Sequence, residues 1–134
     1  MIFEKRVTII QINKPHEKDI NKELQWFGSS LGLFNLRDKD KSCFRIFITL
    51  LKSAKIQEPL SSDEIAEKLD LSRGTVVHHI NKLMNSGLVI KEKNKYMLRV
   101  DNLSELVEEI HKDMSRTCKT LRDVAQNIDN CLGL

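Results

Sequence analysis

The chain is poor in the residues that staple or rigidify a fold. Among 134 residues it has 3 Cys, 2 Pro, 5 Gly and 5% aromatics. Three widely spaced cysteines (Cys43, Cys118, Cys131) are an odd number and include no CxxC motif, which fits reduced intracellular thiols better than a disulfide framework. No HxxxH is present, and no apolar run reaches the ~18–20 residues of a membrane span. The opening MIFEKRVTII lacks the apolar core and small-residue cleavage site of a secretory signal, so a cytoplasmic location is expected. No paired carboxylates, Ser/His/Asp set or phosphate loop stands in a supporting context, so an enzyme is not expected, nor a metal or other cofactor.

What is present is a core and a segregated charge. Hydrophobic residues make up 40% and charged residues 31%, with a net charge of +3. That net value hides alternating blocks: residues 1–55 carry +5, 56–70 carry −4, 71–100 carry +5 and 101–134 carry −3. The basic island at 71–100 is the stretch suited to a polyanion.

Along the chain, the β-branched run RVTIIQI at 6–12 predicts a short strand. Pro15 suits the first turn of a helix over 16–31, with Ile20, Leu24, Phe27 and Leu31 in register; Gly28 and Gly32 blur its end. A charged linker, 37–41, precedes a helix over 42–54 capped by Asp40 or Ser42. Its expected inward face is Phe44, Phe47, Ile48 and Leu51, with Cys43 as a small core residue beside it. Ser61 and Glu64 make a capping box for a helix over 62–69 whose stripe is Ile65, Ala66 and Leu69. After the turn 70–72, Ser72 caps a helix to about Asn85 with Val76, Ile80 and Leu83 inward, and Gly87 ends it. Leu88-Val89-Ile90, a turn at 92–95 and Tyr96–Val100 form a hairpin. Asn102 with Glu105 starts a long helix to about Leu132.

Two short helices joined by a three-residue turn, followed by a hairpin, make a winged helix-turn-helix. At 100° per residue with Val76 inward, Gly74, His78 and Asn81 face outward, flanked by Thr75, Val77 and Lys82. This face is suited to duplex DNA. Ser72 and Thr75 can bond phosphates at a helix N-terminus, and Gly74 allows close approach. Arg73 can clasp a guanine or a phosphate, Val77 can meet a thymine methyl, and His78 and Asn81 can bond base edges. Lys91, Lys93 and Lys95 on the wing can straddle the backbone or enter the minor groove. His79, adjacent to His78, diverges from it by about 100°, which is not metal-ligand spacing; a packed, hydrogen-bonded histidine is the expectation.

The stretch LSRGTVVHHINKLMNSGLV, within a span of about 42–100, resembles the winged-helix core of the ArsR-like and MarR-like transcription regulators. The resemblance implies a homodimeric repressor whose recognition helix reads a palindrome through Ser72, Arg73, Thr75, Val77, His78 and Lys82. The metal sites of some relatives are not carried over. No cysteine stands in the recognition unit, and the last helix offers only His111 near Glu108 and Asp113.

That last helix repeats Leu103, Val107, Ile110, Met114, Thr117, Leu121, Val124, Ile128 and Cys131 in steps of 4 and 3, the spacing of a pairing seam. Leu106, Cys118, Ala125 and Leu132 widen the stripe, so more than one neighbour is expected: a symmetry mate, and the N-terminal helix around Trp26 and Phe27. The expected fold is therefore mainly α with a small β-wing: an N-terminal strand and helix (1–40) at the dimer interface, a winged helix-turn-helix (41–100) and a C-terminal dimerisation helix (101–134). Its expected partners are double-stranded DNA and a second copy. A small-molecule effector near Trp26 and Phe27, or a winged helix that binds protein rather than DNA, stays open at this point.

Overall fold

The computed structural model describes residues 4–134, so the first three residues of the expected 1–40 segment lie outside the described residues. Five helices and one hairpin follow in order: α1 Ile20–Ser30, α2 Ser42–Lys55, α3 Ser62–Leu69, α4 Arg73–Asn85, β1 Val89–Glu92, β2 Lys95–Leu98 and α5 Leu103–Leu132. The fold is the mainly helical winged helix-turn-helix that the sequence predicts.

Local chemistry explains where these elements begin. Ser61 Oγ accepts from Glu64 N while Glu64 Oε1 accepts from Ser61 N, closing the capping box of α3. Ser72 Oγ accepts from Thr75 N to cap α4, and Asn102 Oδ1 accepts from Glu105 N to cap α5. Gly87 follows α4 at φ +79°, and Leu88 N donates to Leu83 O, a Schellman ending that a left-handed glycine permits. Helix α2 starts differently from either expected cap. Lys41 sits at its N-cap in a left-handed conformation, and the exposed backbone donors are met from further upstream: Asp38 accepts from Ser42 N and Cys43 N, each at 2.9 Å.

Helices α2, α3 and α4 enclose the core, with the hairpin against α2 and α4. Ile46, Phe47, Leu50, Ile65, Val76, Ile80, Leu83 and Leu106 are fully buried. The inward face of α2 is turned by one residue from expectation: Cys43, Ile46, Phe47 and Leu50 are buried, while Phe44, Ile48 and Leu51 are half-buried. The segment SCFRIFITLL is apolar on most sides, so periodicity alone admits both faces. The second face is used too, because Phe44 packs on Phe34 with ring centroids 4.6 Å apart. Gly28 belongs to that contact: a Cβ there would lie 2.7 Å from the Phe44 ring, which is why a glycine stands inside α1.

The hairpin pairs Val89 with Leu98 and Glu92 with Lys95. Lys93 and Asn94 at its tip both have positive φ, 51° and 64°, the geometry of a type I′ turn. Leu60 adds a single antiparallel bridge to Tyr96, fastening the entry to α3 onto the wing.

Two N-terminal expectations are corrected. Residues 4–19 contain no strand. The backbone of the β-branched segment meets helix ends rather than a strand edge: Arg6 N donates to Asn85 O and Ile10 N to Ser30 O. Helix α1 starts at Ile20 rather than near Pro15, because Asp19 provides the cap through Asn21 N and Lys22 N. Within the protomer α1 leans on α2, with Phe27 stacked 6.5 Å from Phe47. Trp26 Nε1 donates to Ile12 O at 3.1 Å, tying α1 to the arm.

Candidate nucleic-acid interface

Helix α4 is held by Val76, Ile80 and Leu83, each buried completely, so its outward face is fixed by the core. Gly74, His78 and Asn81 are exposed on that face, and Thr75, Val77 and Lys82 are half-buried along its flanks. Space above Gly74 is open, since a Cβ there would meet nothing within 4 Å. At the N-terminus, Ser72 Oγ donates to Thr75 Oγ1 at 2.8 Å while capping the helix. Arg73 is 73% exposed, and its Nε lies 3.6 Å from Asp63 of α3. Such an exposed pair is weak, so the guanidinium is free to exchange Asp63 for a stronger anion.

The wing lysines differ from one another. Lys91 lies over the Tyr96 ring at 5.8 Å, and Lys95 Nζ is 3.8 Å from Glu64 on α3. Lys93 stands at the hairpin tip. The structure thus brings Gly74, His78 and Asn81 onto one outward row, leaves Arg73 beside α3 at the helix N-terminus, and carries Lys91, Lys93 and Lys95 on the adjacent hairpin.

Under α4, His79 is packed as expected, but it is not hydrogen-bonded. Its Nε2 is 3.9 Å from Asp38 Oδ2, beyond bonding distance, and its buried Nδ1 has no partner among the described residues. Burial foremost holds its pKa below the ordinary 6.5; Asp38 opposes that shift, and His78 and Lys82 add to it. Asp38 is itself pushed up by burial, yet the Cys43 and Ser42 amides and His79 outweigh this and hold it below the ordinary carboxylate value. The charged linker gives little notice of these roles, because Asp38 accepts from amides four and five residues on, outside the reach of an ordinary N-cap.

A second cluster roots the long helix. Arg99, which follows β2, donates from Nη1 to Asp113 Oδ2 at 2.5 Å and from Nη2 to Glu109 Oε2 at 3.2 Å. Arg116 also donates to Asp113, and Lys5 Nζ lies 3.8 Å away. The Arg99 hydrogen bond is the main cause that holds the Asp113 carboxyl below its ordinary value, against burial. This joint falls outside the expected site.

The apolar stripe of α5 divides along its length. Leu103, Leu106, Ile110 and Asp113 turn to the protomer's own body, with Leu106 and Ile110 buried there. Every residue from Met114 onward is exposed. Val107, Met114, Leu121, Val124 and Ile128 form a line 38% to 63% exposed, and Thr117 lies on it. Leu121, Val124 and Ile128 repeat the helix positions of Leu103, Leu106 and Ile110 five turns on, so one face serves the chain's own core at its root and stands exposed beyond it, Cys118, Ala125 and Leu132 included. Among the described residues, no group of three or more His, Cys, Asp or Glu is placed to hold a metal ion. No described helix is long and apolar enough to cross a membrane.

Comparison with known families agrees with this geometry. Residues 50–91, from the second half of α2 into β1, match the family model described as bacterial regulatory protein, arsR family. Neither curated proteins nor solved structures return a match to the chain. The matched stretch is thus an ArsR-like winged helix-turn-helix, and it supports a DNA-binding transcription regulator rather than an enzyme.

Proposed function

We propose that the protein is a homodimeric transcriptional repressor that reads a palindromic DNA site. Residues 72–85 contact the bases and the wing at 88–100 contacts the backbone. The observation that carries this reading is the outward row Gly74, His78 and Asn81 on a helix whose N-terminus is exposed and capped by Ser72. A recognition helix normally enters the major groove with its N-terminal residues toward base edges. Dimerisation is supported by α5 itself: 30 residues make a rod of about 45 Å, and beyond Met114 its apolar line of Leu121, Val124 and Ile128 is more than half exposed. Val107, Met114, Thr117, Leu121, Val124 and Ile128 form the pairing seam, while Leu103 and Ile110 face inward at its root.

Selection of bound duplexes from a random library, followed by sequencing, tests the whole reading. The expected result is an inverted repeat with half-sites about one helical turn apart or slightly more. Arg73→Ala and His78→Ala should relax discrimination between sequences, since a good bidentate pairing with a base is worth ~1–3 kcal/mol. Leu121→Asp with Ile128→Asp should convert the dimer to a monomer in sedimentation and weaken DNA binding. Enrichment of no sequence, together with nuclease-resistant capture of a protein partner, would instead favour an interaction module.

A further inference from the structure

The outward face of α4 has a neighbour along one flank that the winged-helix motif does not supply. The loop between α1 and α2, residues 35–41, forms one wall of a groove whose other wall is Gly74, Thr75 and His78. Further along the same helix, Arg6 and Thr8 of the N-terminal arm stand across a second groove from His78, Asn81 and Lys82. The arm is held there by Arg6 N donating to Asn85 O at 3.0 Å. Loop and arm therefore form a ridge in two parts beside the recognition helix, the loop at its N-terminal half and the arm at its C-terminal half.

The charge of this ridge is more positive at its surface than its sequence suggests. Asp38 is turned inward, 10% exposed, with its oxygens accepting from the amides that begin α2 and lying near His79. It offers little to a ligand. Arg37 and Lys39 are exposed and form no ion pair among the described residues. Lys41 lies over the Phe34 ring at 5.9 Å, and Asp40 is the one exposed acid between them. On the arm, Arg6 is paired with Glu4 at 2.7 Å, which makes it the weaker contributor.

We infer that Arg37 and Lys39 are additional DNA contacts, binding the phosphodiester backbone beside the groove that α4 enters. This rests on the DNA-binding reading of α4. The major groove is about 12 Å wide and is filled by one helix. A ridge alongside that helix meets the sugar–phosphate rail that bounds the groove, not base edges. Flexible cations without acidic partners suit that target, and contacts of this kind add affinity without sequence preference.

The test is the salt dependence of binding to two duplexes, one taken from the library selection and one of random sequence. For the Arg37→Ala/Lys39→Ala variant, the slope of log affinity against log salt should fall by about 1.8 per bound protomer, at about 0.9 per phosphate contact. Between 50 and 200 mM salt, the advantage of the wild type should therefore shrink about 12-fold per protomer. The change should be the same on both duplexes. The charge-retaining Arg37→Lys/Lys39→Arg variant should keep the wild-type slope. An unchanged slope in the alanine variant, or a weakening seen on the selected duplex alone, overturns the inference and leaves the DNA reading standing. A wild type with no salt-dependent affinity for either duplex removes both.

Discussion

Removing Asp113 tests whether the joint between wing and long helix is structural. Its carboxylate is 9% exposed and receives Arg99, Arg116 and Lys5. Arg99 is 20% exposed and is left with Glu109 alone in an Asp113→Ala chain. Breaking a fully buried pair by removing one partner costs ~3–5 kcal/mol, whereas exposed pairs contribute ~0–1. Asp113 lies near the buried limit, but Lys5 and Arg116 are 56% and 67% exposed and add little. The expected destabilisation is ~2–3 kcal/mol, most of it from an Arg99 guanidinium reduced to the single partner Glu109. Urea unfolding at fixed protein concentration measures it, since the stability of the proposed dimer would depend on concentration. The pH dependence has a defined sign. The folded carboxyl titrates below its ordinary 3.8, so its contribution is full above that value and disappears as pH falls through the lower folded pKa. The gap between wild type and variant should therefore close in acid. A destabilisation under ~0.5 kcal/mol at neutral pH, or a double-mutant cycle with Arg99→Met showing no coupling, would refute the reasoning.

Two further outcomes follow from buried titratable groups. His79 is 12% exposed, and burial foremost depresses its folded pKa below 6.5. Its contribution is thus present above the unfolded pKa and disappears as pH falls, so urea midpoints should decline as pH drops below 6.5 through the lower folded pKa. His79→Asn should flatten that decline, and an unaltered profile would count against it. Cys43 is 1% exposed, and its thiol is pushed up to about 11 by burial foremost, with Asp38 adding and Lys82 opposing. Iodoacetamide at pH 8 should label the exposed Cys118 but leave Cys43 unmodified until denaturant is added, as read by peptide mass spectrometry.

How much of this was legible in the sequence depends on whether the signal was local. Val76, Ile80 and Leu83 were readable because α4 has one apolar face and polar residues elsewhere. The caps Ser61, Ser72 and Asn102 were readable because a cap and its target lie within three residues. In α2 an excess of apolar residues left two candidate faces, and only the positions of α1 and α4 decide between them. The RVTIIQI run had strand propensity but no strand to pair with, and β propensity describes packing against a neighbour more than the backbone alone. Arg99 and Asp113 are 14 residues apart on different elements, so no periodicity joins them. The ridge of Arg37 and Lys39 was hidden for the same reason: its place beside α4 is a tertiary fact, while in the sequence it looks like a solvated linker.

The Arg99 joint also bears on how the proposed dimer would measure DNA. The wing ends at Leu98, Arg99 follows, and α5 begins at Leu103, so only a short connection separates the reading head from the pairing rod. Left flexible, that connection would let each head swing, and the gain from linking two heads would be diluted over many spacings. Arg99 instead reaches Glu109 and Asp113 on the second and third turns of α5, and Leu106 and Ile110 bury the same side of the helix. The rod therefore leaves the body at a set angle, and in the dimer the separation of the two α4 helices is set by rigid elements. Weakening the joint should accordingly broaden the half-site spacings that the protein accepts, while base preferences within each half-site persist. Selection with Asp113→Asn against libraries of varied spacing measures this; an unchanged single spacing would place the rigidity elsewhere.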